Sequence, residues 1–241
     1  MFKPIFTTIF KRRDVAIFLA FSSLPLLLAL ARGAGVSLSV KSEAMDSALA
    51  YTVAILDLQT NIFLPMLIFA FVVASVFRED IDTGRLFLFK DLPKNKIFTA
   101  KMLGLFAIYA VYVGLTILLS LLSYFLFLGG NSFLPAGLEV LKQVLQLLVI
   151  LGLNLTAITA IAYLSLHKKT LFAVLAGLFI YMFILAMPVW FGLQYLAPGY
   201  YVQQLAPGTI WFPILMTILL LTLYILPIYL LAAKSFRDIQ F

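Results

Sequence analysis

The chain has 241 residues, of which 64% are hydrophobic and only 11% are charged. Soluble domains carry about 25% charged residues, so this composition excludes a soluble globular protein and predicts an all-α polytopic membrane protein. A helical span needs about 20 apolar residues, and the length therefore allows roughly six spans in a single transmembrane domain. The chain has no cysteine and one histidine, which excludes disulfides and thiolate sites and argues against a histidine-based metal site.

The first 14 residues combine apolar side chains at helical spacing with four basic residues. This pattern predicts an amphipathic helix that lies in the membrane interface over residues 1–14. A basic flank that orients the first span is a compatible interpretation. The first span is predicted over residues 15–31, and the polar, serine-rich segment after it is expected on the outer side.

The second span is predicted over residues 49–77, which is long enough to tilt or to project beyond the bilayer. Asp57, Thr60 and Asn61 are spaced i, i+3 and i+4, so they share one helix face, which we expect near the outer end of the span. A polar face inside a membrane can line a substrate pathway. The alternative is that Asp57 lies among hydrated headgroups and has no special role.

The third span is predicted over residues 102–128 and the fourth over residues 143–166. The fourth carries the amides Gln143, Gln146 and Asn154 towards one side. Amides inside a helical bundle usually join neighbouring helices by hydrogen bonds that contribute about 0.6–2 kcal/mol each. Structural joining is therefore the first interpretation of Gln146 and Asn154, and lining of a substrate pathway is the second.

Residues 170–233 form a stretch of 64 residues without a charge. As one continuous helix this stretch would be about 96 Å long against a hydrocarbon core of ~30 Å, so it has to fold back. We predict a fifth span over residues 170–196, a sixth over residues 211–233, and one or two short helices between them that dip into the outer leaflet. Aromatic residues around this connection are typical of a membrane interface. The connection is a candidate outer lid, with a plain interfacial loop as the alternative, and its expected lid residues are Pro198, Gly199, Tyr200, Tyr201, Pro207 and Gly208.

The distribution of basic residues predicts the orientation. If the N-terminus is inside, 14 of the 17 lysines and arginines lie on the inner side, and only Arg32, Lys41 and Lys142 lie outside. Cytoplasmic loops carry the basic excess, so we expect a plasma-membrane protein with both termini in the cytoplasm. The same distribution assigns the net charge of +7 to membrane orientation and not to nucleic-acid binding.

Enzyme motifs are missing from the sequence. It has no G-x-x-x-x-G-K-[ST] loop for a nucleotide phosphate, no H-E-x-x-H motif and no G-x-S-x-G elbow. We therefore expect no catalytic site, no metal site and no cofactor in this chain.

The charged segment 78–101 separates two long apolar runs and holds ten of the 27 charged residues. Asp80 and Asp82 are expected near a helix start, where a partial positive charge would favour them. The apolar run 86–89 follows, and lysines lead back to the membrane after Pro93. A helix on anionic lipid would explain these lysines, but lipid of that charge would repel the acidic first half, which favours contact with a protein partner.

This segment resembles the cytoplasmic loop between spans two and three in ABC-2 type permeases, the membrane subunits of many bacterial ABC exporters. That loop begins with the pattern acidic-x-acidic-x-Gly-Thr, in which x is any residue. A Leu-rich stretch follows, then Pro-x-x-Arg, and then an Ile and a Lys that open span three. The chain differs in carrying Arg85 for Thr and Lys96 for Arg, and the stretch after Pro93 is about two residues shorter. The matching residues are Asp80, Asp82, Gly84, Leu86, Leu88, Pro93, Lys96, Ile97 and Lys101.

The resemblance implies a permease subunit that pairs with a second permease, identical or different, and with cytoplasmic ATPase subunits that bind the ATP and magnesium. It implies export of an amphipathic or apolar substrate, a peptide by preference. The alternative is a non-transporting accessory or scaffold subunit that binds a cytoplasmic partner through residues 78–101. The expected ATPase contacts are Glu79, Asp80, Asp82, Thr83, Gly84, Leu86, Phe87, Leu88 and Phe89.

Overall fold

The computed structural model describes residues 2–33, 46–82, 93–128 and 132–238. The described residues form helices and no strand. Within these residues, five helical stretches are long and apolar enough to cross a membrane, the first of them Arg13–Ala31, and the count rises to six when a bent helix pair is taken as one span. The predicted all-helical, multi-span membrane architecture is therefore confirmed.

The N-terminal part consists of three short helices. Helix α1 covers Phe2–Phe10 and packs against α6, and a sharp elbow at Lys11 and Arg12 separates it from α2, Arg13–Ala20. A 3-10 turn, Phe21–Ser23, leads into α3, Leu24–Gly33. The chain thus changes direction once before the first apolar span begins.

The region predicted as one second span is two helices, α4 over Ala48–Ile62 and α5 over Leu64–Asp82, with a bend of 66° between them. Phe63 joins them in the left-handed backbone region, with φ of 60°. The break has a local cause, because Pro65 has no N–H to donate to the carbonyl of Asn61 and its ring would clash with that carbonyl. The expectation of one continuous helix over 49–77 therefore needs this correction.

Two long helices form the centre of the bundle. Helix α6 covers Lys94–Leu126 and α7 covers Leu138–His167. Helix α7 packs against α4, α5, α8 and α10, and α6 packs against α1, α3, α4 and α10. Because α6 begins at Lys94, the charged segment predicted as a loop over 78–101 contains the last turn of α5 and the first two turns of α6.

The C-terminal part begins with α8, Thr170–Ala186, which is followed by 3-10 turns at Met187–Val189 and Leu193–Leu196. The short helix α9, Pro198–Gln203, and the long helix α10, Trp211–Asp238, complete the chain. The predicted fifth span, 170–196, is thus a regular helix only as far as Ala186.

Close helix approaches hold the bundle together. A side chain at Gly177 on α8 would meet Ile161 Cγ1 of α7 at 2.3 Å, and one at Gly152 on α7 would meet Leu221 Cδ2 of α10 at 2.6 Å. Small residues at such positions let helix backbones pack closely within a membrane.

Candidate functional site

The strongest candidate is a charged junction where the α1–α2 elbow, the end of α5 and the start of α6 meet. Arg12, in the elbow, donates a hydrogen bond from its guanidinium to Ser75 Oγ at 2.6 Å and forms an ion pair with Glu79. Ser75 and Glu79 lie one turn apart on α5, so a single arginine contacts both. The N-terminal elbow is in this way attached to the end of α5.

Lys101 attaches α6 to the same end of α5. Its side chain is only 4% exposed, and its Nζ donates a hydrogen bond to the carbonyl oxygen of Val76 at 2.8 Å. The Nζ also lies 5.3 Å from the ring centroid of Phe77. The carbonyl oxygen and the face of the aromatic ring together offset part of the cost of burying this ammonium group.

The end of α10 closes the charged junction from a third side. Lys94 Nζ donates to the carbonyl oxygen of Arg237 at 3.1 Å. The ring of Phe98 lies 5.7 Å from that of Phe77 on α5 and 5.6 Å from that of Phe236 on α10, measured between centroids. The end of α5, the start of α6, the end of α10 and the N-terminal elbow therefore meet at the charged junction.

The acidic residues of the charged segment end a helix and do not begin one. Glu79, Asp80 and Asp82 all belong to the last turn of α5, so the expectation that Asp80 and Asp82 lie near a helix start is wrong. The helix reaches Asp82 because no proline or glycine follows Pro65 in it. Arg12 and Arg78 offset the negative charges of Glu79 and Asp82. Asp82 is exposed and pairs with Arg78 at 2.9 Å, in the i,i+4 arrangement.

The structure therefore places two of the expected ATPase contacts, Glu79 and Asp82, and both form ion pairs within the chain. Asp80 is described only as a backbone position of α5. The remaining expected contacts lie outside the described residues: Thr83, Gly84, Leu86, Phe87, Leu88 and Phe89.

A second polar group lies halfway along the bundle, beside the break between α4 and α5. Asp57 and Asn61 are in the last two turns of α4, where Asn61 Nδ2 donates to Asp57 Oδ2 at 3.2 Å and to the Asp57 carbonyl at 3.0 Å. They lie in the half of the second span that precedes the bend, and their position near the outer end of that span stays a prediction.

Asn154 joins two helices, as predicted for an amide inside the bundle. Its Oδ1 accepts a hydrogen bond from the hydroxyl of Tyr181 on α8 at 2.9 Å, and its Nδ2 donates to the Ile150 carbonyl at 2.8 Å. Asn154 also lines the cavity next to the break, together with Thr60. Gln146 is half-buried on α7, about 12 Å along the helix axis from Asn154, so it does not belong to this group.

The connection between α8 and α10 contains the expected lid residues. Pro198 begins α9, and Pro198 and Tyr201 are buried, whereas Gly199 and Tyr200 are half-buried and Pro207 and Gly208 are exposed. The Ala-Pro-Gly sequence at 197–199 therefore packs against the bundle, while the same tripeptide at 206–208 forms an exposed turn.

Side chains of α10 hold this connection in place. Thr217 Oγ1 donates to the Pro198 carbonyl at 3.4 Å, and the hydroxyl of Tyr224 donates to the Leu196 carbonyl at 2.6 Å. Tyr224 lies 13 residues after Trp211, the first residue of α10. The connection consequently runs alongside α10 and does not merely cap its end.

The described residues contain no group of three or more His, Asp or Glu side chains that could hold a metal ion. Comparison with known proteins identifies no family model, no curated relative and no solved structure that matches this chain.

Proposed function

We propose that this chain is the membrane subunit of an ATP-driven exporter of the ABC-2 type, and that a separate ATPase subunit docks on residues 78–101. The observation that supports this proposal most is the charged junction. The two helices that flank the charged segment, α5 and α6, are joined by Lys101 and Val76. In this proposal that bond and the ring contact between Phe77 and Phe98 pass a force on the segment from one helix to the other.

The mechanism that we propose starts with ATP-driven closure of two ATPase subunits, which pushes on the end of α5. The ion pair between Arg12 and Glu79 passes the same displacement to the N-terminal elbow. Because the chain bends by 66° at Phe63, α5 can tilt without carrying α4 with it. The substrate pathway then opens between this subunit and a second permease.

In this proposal α1 is an interfacial helix and the segment between α8 and α10 is a re-entrant lid in the outer leaflet. The elbow at Arg12 supports the first assignment, since it separates α1 from the apolar helices that follow. The bond from Tyr224 to Leu196 supports the second, because Tyr224 is in the middle of α10. Irregular backbone at membrane depth is tolerated where protein surrounds it, and Pro198 and Tyr201 are buried.

The substrate that we propose is amphipathic or apolar, a peptide by preference, and it moves out of the cell. Asp57 is the charged residue that the described spans carry at mid-depth, and Lys101 lies at their charged end. A strongly anionic glycan would require basic residues along its path. In the cell, we place the chain in the plasma membrane with both termini in the cytoplasm, as the excess of basic residues at that end supports.

Association with an ATPase tests the proposal directly. The neighbouring reading frame should encode an ATPase with a phosphate-binding loop, and the two proteins should purify together. Replacing residues 82–89 by a Gly/Ser linker of equal length should abolish this association while the chain stays in the membrane. The matched control is a Gly/Ser replacement of residues 34–41, which should leave the association with the ATPase intact. Undiminished co-purification of the 82–89 variant would contradict the proposal.

Cargo response separates an exporter from a scaffold subunit with the same topology. ATP hydrolysis by the purified complex in nanodiscs should change when amphipathic peptides are added, because transport couples the two steps. A rate that is indifferent to every peptide, in a complex that still assembles through residues 78–101, would favour the scaffold.

A further inference from the structure

A half-open cavity of about 20 Å³ lies at the break between α4 and α5. Gln59 and Thr60 from the end of α4, and Pro65 and Met66 from the start of α5, form one side of it. Tyr112 on α6 contributes to the opposite side. A volume of about 10–15 Å³ is enough to hold one water molecule, so the cavity has room for one small ligand.

The position of this cavity is at mid-depth in the bundle. The N–H of Ala48, at the start of α4, donates to the Ser132 carbonyl in the connection between α6 and α7, whereas Val76 on α5 accepts from Lys101 near the start of α6. The pair α4–α5 therefore runs from one end of α6 to the other. Tyr112 is 18 residues after the first residue of α6, which has 33 residues.

Two residues that line this cavity each carry a buried polar atom without a hydrogen-bond partner among the described residues, Gln59 Oε1 and the Tyr112 hydroxyl. The Gln59 side chain is fixed, because its Nε2 donates to the Phe21 carbonyl at 3.1 Å and so leaves Oε1 as a free acceptor. Gln59 is 3% and Tyr112 4% exposed. A buried polar atom without a partner costs about 1–3 kcal/mol, so both atoms require a ligand.

The break between α4 and α5 adds backbone N–H groups that also need hydrogen-bond acceptors. The first N–H groups of a helix have no acceptor within the helix, and at bilayer depth they need protein or water. Leu64 and Met66 are in the first turn of α5, and Met66 lines the cavity. The cavity is therefore at the point of the second span where hydrogen-bonding partners are most needed.

We propose that this cavity binds one water molecule, which accepts a hydrogen bond from Tyr112 and donates to Gln59 Oε1 and Thr60 Oγ1. The Thr60 hydroxyl donates to the Leu56 carbonyl at 2.8 Å, so towards the cavity it can only accept. Three hydrogen bonds are typical of a buried water. A cation would satisfy the two acceptors but leave the Tyr112 proton unpaired, which is why water fits better. The water joins α4 to α6 beside the bend at Phe63.

Radiolytic footprinting tests the site on the full chain in nanodiscs. A brief X-ray pulse converts bound water into hydroxyl radicals that modify the side chains next to it. Met66, which is 5% exposed and lines the cavity, should be oxidised several-fold faster than Met102, which is 1% exposed and does not line it. Equal protection of the two methionines would overturn the proposal.

Two variants connect the signal to the cavity. Gln59→Leu and Tyr112→Phe each remove one partner of the water, so each should slow the oxidation of Met66 and leave Met102 unchanged. Should Gln59→Leu fail to fold, Tyr112→Phe gives the same reading with an almost isosteric change. Unchanged Met66 oxidation in a folded variant would contradict the water site. A change in Met66 oxidation when choline replaces sodium in the buffer would identify a bound cation instead of water.

Discussion

Lys101 on α6 and Val76 on α5 are joined by a hydrogen bond of 2.8 Å in which a buried ammonium group donates to a backbone carbonyl. In the sequence, Lys101 is only the last residue of a charged segment. In the structure its side chain is buried, with its Nζ beside the ring of Phe77. The charge is tolerated there because the Val76 carbonyl oxygen accepts a hydrogen bond from it and the ring of Phe77 lies beside it. This contact links the two helices that flank the segment, together with the ring contact between Phe77 and Phe98.

Reversing this charge should be strongly destabilising. Lys101→Glu places a carboxylate against the Val76 carbonyl, and an unpaired buried charge costs about 3–5 kcal/mol. The matched control is Lys96→Glu, the same change at an exposed position of α6, which should cost less than about 0.5 kcal/mol. Unfolding of both variants in detergent measures the difference. Similar stabilities for the two would show that Lys101 is not engaged as described.

The ion pair between Arg12 and Glu79 should matter more for coupling than for stability. Both side chains are partly exposed, so we expect Arg12→Glu to cost no more than about 1 kcal/mol. If the pair transmits movement from α5 to the elbow, Arg12→Glu and Glu79→Arg should each lower cargo-stimulated ATP hydrolysis, and the double reversal should restore it.

Arg13→Glu is the control for this pair, because Arg13 is an exposed neighbour with the same charge. It should leave cargo stimulation unchanged. A double reversal that is no better than either single variant would argue against the pairing as a functional contact.

The hydrogen bond between Tyr181 and Asn154 should couple α8 to α7. Polar contacts between membrane helices are worth about 0.6–2 kcal/mol, so Tyr181→Phe should lower stability by an amount in this range. In a double-mutant cycle with Asn154→Leu the two losses should not add, because each variant removes the same bond. Tyr229→Phe is a suitable control, since Tyr229 is partly buried and contacts Phe98 by its ring. Additive losses would mean that the two residues act independently.

Sequence patterns locate the helices but not the contacts that join them. Apolar length predicts the spans, and the charged segment stands out by composition alone. The break at Phe63 has a local signal in Pro65, which a hydropathy pattern ignores because proline in a membrane span is common. The pairing of Arg12 with Glu79 has no local signal, since 67 residues separate them.

The same limit applies to the polar residues around the break between α4 and α5. Asn154 stands out as an amide in an apolar helix, whereas Gln59 and Tyr112 look like ordinary residues of two different spans. Only packing shows that both line one cavity at the break. Helix spacing predicts that Asp57 and Asn61 share one face, and the hydrogen bond between their side chains confirms it. The same spacing carries no signal for the bend that follows them.

Three glycines provide a graded test of helix packing. A methyl group at Gly177 would meet Ile161 Cγ1 at 2.3 Å, one at Gly152 would meet Leu221 Cδ2 at 2.6 Å, and one at Gly114 would meet no atom within 4 Å. Isoleucine is stiff near its backbone, whereas the end of a leucine side chain can rotate away. Gly177→Ala should therefore be more destabilising than Gly152→Ala, within the range of about 1–3 kcal/mol for overpacking.

Gly114→Ala is the control, and it should be neutral or stabilise the protein by up to about 1 kcal/mol through helix propensity. Thermal unfolding of the three variants in one detergent gives the order. The reverse order of Gly177 and Gly152 would show that α7 and α8 are packed less closely than α7 and α10.

The two tryptophans of the chain report on the proposed outer lid. Trp190 and Trp211 flank the segment between α8 and α10, and they are 48% and 83% exposed, so both side chains are available to lipid. Tryptophan rings favour the membrane–water interface. Lipids brominated near the headgroup should therefore quench the intrinsic fluorescence of the reconstituted chain more strongly than lipids brominated near the chain ends.

Trp190→Phe and Trp211→Phe separate the two signals, because each variant keeps a single tryptophan. Trp190 lies between α8 and α9, in the proposed lid, whereas Trp211 is the first residue of α10. If the lid dips into the outer leaflet, lipids brominated deeper in the bilayer should quench Trp190 more strongly than Trp211. Quenching by a water-soluble agent such as iodide should show the opposite order. Strong iodide quenching of both residues, with no effect of brominated lipid, would place the segment in water and contradict the re-entrant arrangement.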